Sequence, residues 1–201
     1  MTLHAGAEHE DKPAPQPLLA VQSFVNTRDL EYGTDLLADG GTANEWLRES
    51  GLLGPGGTAD AGELRAAREF RESMRAVLAR NGRGPTPGAS DLGPLETVAR
   101  ASRPRLTIDP AGRVQLDSGP DGSLADGLTG LLLIMRDAQH DGTWLRLKIC
   151  GNPDCLWAFY DRSHSRRGAW CDMASCGNLI KNRNLRARRG GRPREGLREP
   201  A

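Results

Sequence analysis

All four cysteines of the 201-residue chain, Cys150, Cys155, Cys171 and Cys176, fall within 27 residues, spaced Cys-x4-Cys-x15-Cys-x4-Cys. Two close pairs separated by a loop suit a tetrahedral zinc ion, each pair curling round the metal and the loop closing the second half. Disulfides compete, but they need an oxidising compartment. The first seventeen residues lack the basic start and apolar centre of a secretory signal. Redox thiols and an iron–sulfur cluster are further alternatives. We expect one structural Zn²⁺.

The neighbouring residues bear on the same site. Cys150-Gly151-Asn152 and Cys176-Gly177-Asn178 repeat one tripeptide, and glycine beside a ligand lets backbone N–H groups turn toward thiolates. Four thiolates and one zinc carry a formal charge of about −2, for which Arg166 and Arg167 are candidate partners. His164 reads as a surface or outer-sphere residue rather than a ligand. Trp157, Phe159 and Trp170 supply the small apolar core that so short a segment needs, and Tyr160 is open to either core or base stacking.

A catalytic reading finds little support. Four thiolates close a zinc site, and the histidines are scattered: His4 and His9 near the start, His140 at a helix end, His164 between the cysteine pairs. We therefore expect no enzyme.

Charge is segregated along the chain. Residues 162–198 hold eleven Lys or Arg against two acids, a surplus of nine; with a whole-chain charge of +1, the remainder carries −8. Arginine abundance follows partly from GC-rich coding, but such coding does not cluster charge at one end. Lys181, Asn182, Arg183, Arg186, Arg188 and Arg189 lie on a predicted helix just after Cys176. Leu179, Ile180 and Leu185 are expected to dock it on the metal module. Arg and Asn on a metal-anchored helix can read base edges in a major groove, while Arg162, Arg166 and Arg167 would meet phosphate. A merely solvated basic helix is the alternative.

The elements that must position these residues are mostly helical. Apolar residues over 18–30 read as a helix. Thr42 or Asn44 is placed to cap a helix through Trp46 that stops at Gly51. The strongest periodicity is over 61–80, with Leu64, Ala67, Phe70, Met74, Val77 and Leu78 at spacings of three and four. A shorter helix over 91–101 has Pro94 near its first turn. Asp109-Pro110-Ala111-Gly112 between two short β-prone runs predicts a hairpin. Leu128, Leu131, Leu132 and Met135 mark the core face of a helix over 124–137, and 144–149 alternates like a strand running into Cys150. No apolar run approaches the roughly 20 residues of a membrane span.

The stretch Cys150-Gly-Asn-Pro-Asp-Cys155, Trp157-Ala-Phe-Tyr-Asp-Arg-Ser163, Arg166-Arg-Gly-Ala-Trp170-Cys171 and Cys176-Gly-Asn178 resembles the CGNR zinc-finger family. Phe24-Val25-Asn26-Thr27, Trp46-Leu47 and Gly51-Leu52-Leu53 resemble the ABATE domain that precedes this finger in bacterial proteins. Leu179 stands where the finger's naming motif has Arg, and Ser23 where an acid is expected. The resemblance implies an α+β protein: a mainly helical N-terminal domain with a short β-hairpin, then a small four-cysteine, treble-clef-like zinc finger ending in a basic helix. The expected layout is a disordered tail over 1–17, the ABATE-like domain over 18–140, the finger with its basic helix over 141–189, and a disordered basic tail over 190–201. It implies zinc and DNA, hence a bacterial transcription regulator of the cytoplasm, associated with the nucleoid. A homodimer or a partner from the transcription machinery is the other expectation, the latter as a protein-interaction module without specific DNA readout. Asn26, Arg28 and Trp46 are candidates to line a small-ligand pocket, although a helix end packed by a buried Trp explains them equally.

Overall fold

A computed structural model describes residues 12–82, 84–119 and 122–190. The elements are α1 (Leu19–Val25), β1 (Arg28–Asp29), β2 (Thr34–Asp35), α2 (Gly40–Glu49), α3 (Ala61–Arg80), α4 (Ala89–Ala101), β3 (Arg105–Ile108), β4 (Val114–Asp117), α5 (Leu124–Asp141), β5 (Leu147–Ile149), β6 (Ala158–Tyr160) and α6 (Asn178–Gly190). The strands form three antiparallel two-stranded pairs, β1–β2, β3–β4 and β5–β6. The protein is thus a mainly helical body with short hairpins, followed by a four-cysteine module.

Helix α3 is the central element. Asp60 accepts from the Glu63 amide and the Glu63 side chain accepts from the Asp60 amide, closing a capping box at its start. Leu64, Ala67, Phe70, Met74 and Leu78 are buried along one face, as the periodicity predicts, and Val77 is partly buried. Phe24 from α1 packs edge-on to Phe70 at 5.9 Å and against Trp46 of α2 at 6.4 Å between ring centroids.

Two arginines on α3, Arg71 and Arg75, are buried. Arg71 grips both carboxylate oxygens of Asp35 at 2.6 and 2.7 Å and donates to Thr27 Oγ1 at 3.0 Å. Arg75 donates to Glu72 and to the Val25 carbonyl. The Arg71–Asp35 pair ties the β1–β2 hairpin to α3, and Arg75 ties the end of α1 to it. A bidentate guanidinium is the form of cation that tolerates such burial. Burial alone would raise the Asp35 carboxyl, but the hydrogen bonds from Arg71 and the Leu37 amide outweigh it and hold it below its ordinary value.

Several boundaries differ from the sequence reading. Helix α1 stops at Val25, where the chain turns into β1, well short of residue 30. Asp39, not Thr42 or Asn44, caps α2 by accepting from the Thr42 amide. Asn44 instead bridges to the backbone of Ala59 through both side-chain atoms. Helix α4 starts two residues early, which leaves Pro94 inside it. Helix α5 runs on to Asp141 and ends at Gly142, whose φ of +78° suits a residue without Cβ. The β3–β4 hairpin forms as predicted, its turn held by Asp109 accepting from the Ala111 and Arg113 amides.

Lys12 and Ala14, within the stretch 1–17 expected as a disordered tail, make specific contacts: the Lys12 carbonyl accepts from the Tyr160 amide and the Ala14 amide donates to Gln22. Ala14 and, just beyond that stretch, Leu18 are buried in the main core. Residues 1–11, with His4 and His9, and residues 191–201 of the expected basic tail lie outside the described residues. Among the described residues no helix is long and apolar enough to cross a membrane.

Candidate metal centre and basic helix

Strand β5 carries the chain directly into Cys150, a turn over 151–157 brings Cys155 back beside it, and β6 returns antiparallel with Lys148 opposite Phe159. A loop over 161–170 then delivers Cys171, and a single π-type turn over Met173–Gly177 places Cys176 immediately before α6. Asp172 caps that turn by accepting from the Ser175 amide at 2.6 Å.

The four sulfur atoms lie within 4.8 Å of one another. Cys155 and Cys171 Sγ are 3.7 Å apart, and Cys171 and Cys176 Sγ are 3.8 Å apart. Zinc–sulfur bonds of about 2.3 Å in a tetrahedron put sulfurs roughly 3.8 Å apart, whereas a disulfide needs about 2.05 Å. The spacing fits one structural zinc ion and leaves all four cysteines unbridged. Without a cation the thiols share protons unequally: hydrogen bonds from Cys155 and Cys171 draw the Cys150 thiol far down, and their contacts with Cys150 push Cys155 and Cys171 up. A divalent ion resolves this by letting every thiol ionise, so binding releases protons and weakens as pH falls.

The sulfurs are served by donors that the tripeptide repeat indicated only in part. The Gly151 amide donates to the Ala169 carbonyl and the Gly177 amide to the Asp172 carbonyl, so neither faces a sulfur. Amides of Asn152 and Cys171 point at Cys150, the Trp157 amide points at Cys155, and Asn152 Nδ2 donates to Cys176 Sγ at 3.4 Å. The glycines serve packing: a Cβ on Gly151 would meet the Trp170 ring at 3.1 Å. Trp157 and Trp170 pack against the cysteine cluster, while Phe159 and Tyr160 are buried. Tyr160 belongs to the main core, which rules it out as an exposed stacking platform.

Arg166 and Arg167, named as candidate partners of the thiolates, are exposed, and a further cation near the cysteines is Lys12. It lines a cavity of about 240 Å³ together with Cys155, Cys171 and Cys176. Its ammonium donates to the Trp170 carbonyl at 2.9 Å and sits 5.2 Å above the Phe159 ring. Sequence reasoning missed it by assigning residue 12 to the tail. His164 is exposed, as expected.

A buried ion pair fixes the loop between the cysteine pairs. Lys148 Nζ lies 2.8 Å from Asp161 Oδ2, both side chains nearly inaccessible, and also donates to the Arg166 carbonyl at 2.6 Å. Asp161 accepts from the Ser163 and Gly168 amides. A Cβ on Gly168 would fall 2.8 Å from the Asp161 carboxyl carbon. Burial would raise the Asp161 carboxyl, yet the hydrogen bonds from Lys148 and Ser163 prevail and hold it well below the usual carboxylate range.

The finger is bolted to the helical body. Asn26 donates to the Ala158 carbonyl at 3.0 Å and accepts from the Ala158 amide at 2.8 Å. Gln22 donates to the same carbonyl at 3.1 Å and accepts from the Ala14 amide. The Tyr160 amide donates to the Lys12 carbonyl at 2.9 Å. The edge of β6 is therefore paired by residues from the start of the chain. Asn26→Ala is expected to strand a buried amide and lower unfolding free energy by about 2 kcal/mol in urea titrations. A change within error would show that water replaces the contact freely.

Each of the three residues considered for a ligand pocket makes a structural contact. Asn26 is consumed by Ala158, Trp46 is buried against Phe24, and Arg28 is half-exposed beside Glu72 at 3.5 Å. They have structural partners because each sits where two elements meet, which is what made them conspicuous in the sequence.

On α6, Lys181, Asn182, Arg183 and Arg186 are exposed. Arg183 lies 3.7 Å from Asp154. The side chains of Arg188 and Arg189 lie outside the described ones. Arg162 is exposed, donating to the Pro13 carbonyl above the Tyr160 ring. Leu179 and Leu185, expected to dock the helix, are 53% and 47% exposed, and Ile180 is partly covered. The helix follows the last cysteine so closely that its root is held by the turn itself, without an apolar seam.

Residues 19–140 match the ABATE family, whose description reads "putative stress-induced transcription regulator", and residues 146–189 match the CGNR zinc finger, in that order. No curated protein matches the chain.

Proposed function

Because the chain belongs to the ABATE family and carries a CGNR zinc finger with regulatory rather than enzymatic kin, we propose that it binds DNA through α6. The observation that carries this reading is the attachment of α6: it begins two residues after Cys176, with Lys181, Asn182, Arg183 and Arg186 exposed. A zinc-anchored root fixes the direction of the helix. Its cations then meet a duplex without first losing much conformational freedom. Arg183 and Arg186, with Asn182, are assigned to base edges, and Lys181, Arg162, Arg166 and Arg167 to phosphates. Arg188 and Arg189 extend the same basic run.

Selection of bound sequences from random duplexes at moderate and high salt tests this. An enriched motif is expected, with affinity falling steeply as salt rises. Lys181→Ala should weaken all sequences alike and reduce the salt slope by about one, whereas Arg183→Ala should relax preference at one position. Binding unaffected by joint replacement of Lys181, Arg183 and Arg186 would refute the assignment.

One observation favours a second reading. Leu179 and Leu185 expose apolar surface among the cations of α6, as a helix does when a partner protein's groove covers it. Zinc-loaded protein that enriches no DNA motif, yet loses a transcription-machinery partner on Leu185→Asp, would move the function to that class.

A further inference from the structure

The four cysteines are not equally guarded. Cys150, Cys155 and Cys176 are 1%, 6% and 5% exposed, whereas Cys171 is only partly buried. The N–H donors described above serve the other three sulfurs: backbone amides at Cys150 and Cys155, and Asn152 Nδ2 at Cys176. None of them serves Cys171, which has the sulfurs of Cys155 and Cys176 beside it at 3.7 and 3.8 Å. Zinc holds all four sulfurs as thiolates, so ionisation does not rank them. Access and donor bonds do, because an N–H bond draws charge off a sulfur and blunts its attack.

Cys171 also lines the cavity of about 240 Å³ that Cys155 and Cys176 share and Cys150 does not. The charges of that cavity select what enters. Asp29, Glu31 and Asp172 stand against one ammonium, Lys12, and the zinc–thiolate cluster adds about −2. An anionic oxidant, or a disulfide as acidic as that of glutathione, is repelled there, and a small neutral one is not. The rest of the lining is uncharged, chiefly the rings of Tyr32, Trp157 and Phe159.

We propose that Cys171 is an oxidation site, at which hydrogen peroxide entering the cavity turns this zinc ligand into a sulfenic acid and then into a disulfide. The Cys171 sulfur attacks one peroxide oxygen. An S–O bond forms, the O–O bond breaks, and the departing hydroxide takes a proton from solvent. A neighbouring thiolate, Cys155 or Cys176, then attacks the Cys171 sulfur; the S–S bond forms, the S–O bond breaks, and a second hydroxide leaves to become water. Two sulfurs have lost two electrons in all, and one peroxide has been reduced to two waters. The pair has to close only from 3.7 or 3.8 Å to about 2.05 Å. With two of its four ligands bridged, the site no longer holds zinc tightly, and the root of α6 goes with it. The effect on DNA rests on the reading of α6 above; the oxidation site does not.

The zinc-loaded full chain is treated with hydrogen peroxide and dimedone, which traps sulfenic acids, and the adducts are located by peptide mass spectrometry. The expected result is labelling of Cys171 at least about tenfold above any other cysteine. Without dimedone, a disulfide joining Cys171 to Cys155 or Cys176 should appear together with zinc release to a chromogenic chelator. Cys171→His keeps a ligand for the metal and should retain zinc at peroxide concentrations that strip the parent. The labelling order in the parent needs no variant to fold. Adducts spread evenly over the four cysteines, or arising first at another, overturn the inference. So does zinc lost from the parent with Cys171 unmodified, or a parent whose thiols all survive millimolar peroxide. None of these readouts involves DNA, so a failure of the unoxidised protein to bind DNA would count against the reading of α6 alone.

Discussion

Removing zinc is expected to collapse residues 150–157 and 171–190, on either side of β6 and its following loop, while leaving α2, α3 and α4 folded. Chelation, or Cys155→Ser, should abolish the one-to-one zinc content, open the segment to proteolysis after Cys150 and eliminate the DNA binding proposed for α6. The magnitude follows from what holds the segment: its apolar cluster is little more than the cysteines with Trp157 and Trp170. Structural zinc in modules of this size contributes apparent binding energies of about 10–16 kcal/mol at neutral pH. The main core, by contrast, gathers Phe24, Phe70, Met74 and Leu131 without any metal. Because ionised thiols are required, zinc retention should fail as pH drops. A fully folded segment after complete metal removal would overturn the cysteine assignment.

Asp161→Ala is the second large effect. It leaves the Lys148 ammonium nearly inaccessible with no carboxylate, and stranding one member of a buried pair costs about 3–5 kcal/mol. The Ser163 and Gly168 amides lose their acceptor in the same step. Lys148→Met should cost less, since the carboxylate keeps those two donors. The pH dependence has a definite sign. The folded carboxyl is depressed, so its stabilisation is complete above the unfolded value of about 3.9 and is lost as pH falls toward the folded value. Wild type and Asp161→Ala should therefore differ fully at pH 7 and converge below about pH 4. Denaturant midpoints at several pH values measure this. An equal gap at pH 7 and at pH 3 would contradict the assignment.

What was readable in the sequence was local. The paired cysteines report their own chemistry through spacing, and α3 announces its buried face through repeats of three and four. The β3–β4 hairpin is legible because Asp109 and Gly112 make the turn themselves. What escaped depends on distant partners. Lys12 makes sense only beside Trp170, Asn26 only beside Ala158, and Arg71 only against Asp35. A polar side chain that will be buried looks the same in sequence as one that faces water, since its partner lies tens of residues away. Leu179 and Leu185 misled in the opposite direction: an amphipathic pattern suggests docking, yet the turn through Cys176 already fixes α6 and leaves those leucines uncovered. Local pattern identifies candidates for burial, and only tertiary closure decides which are buried.

The stitching of Ala158 and Tyr160 to Asn26, Gln22 and Lys12 has an engineering consequence. The metal module is not a transplantable cassette. Grafted onto another carrier from residue 141 onward, it would arrive with an unpaired β6 edge and a bare apolar flank, inviting aggregation. A working chimera has to import the first two turns of the chain's own helical body along with it.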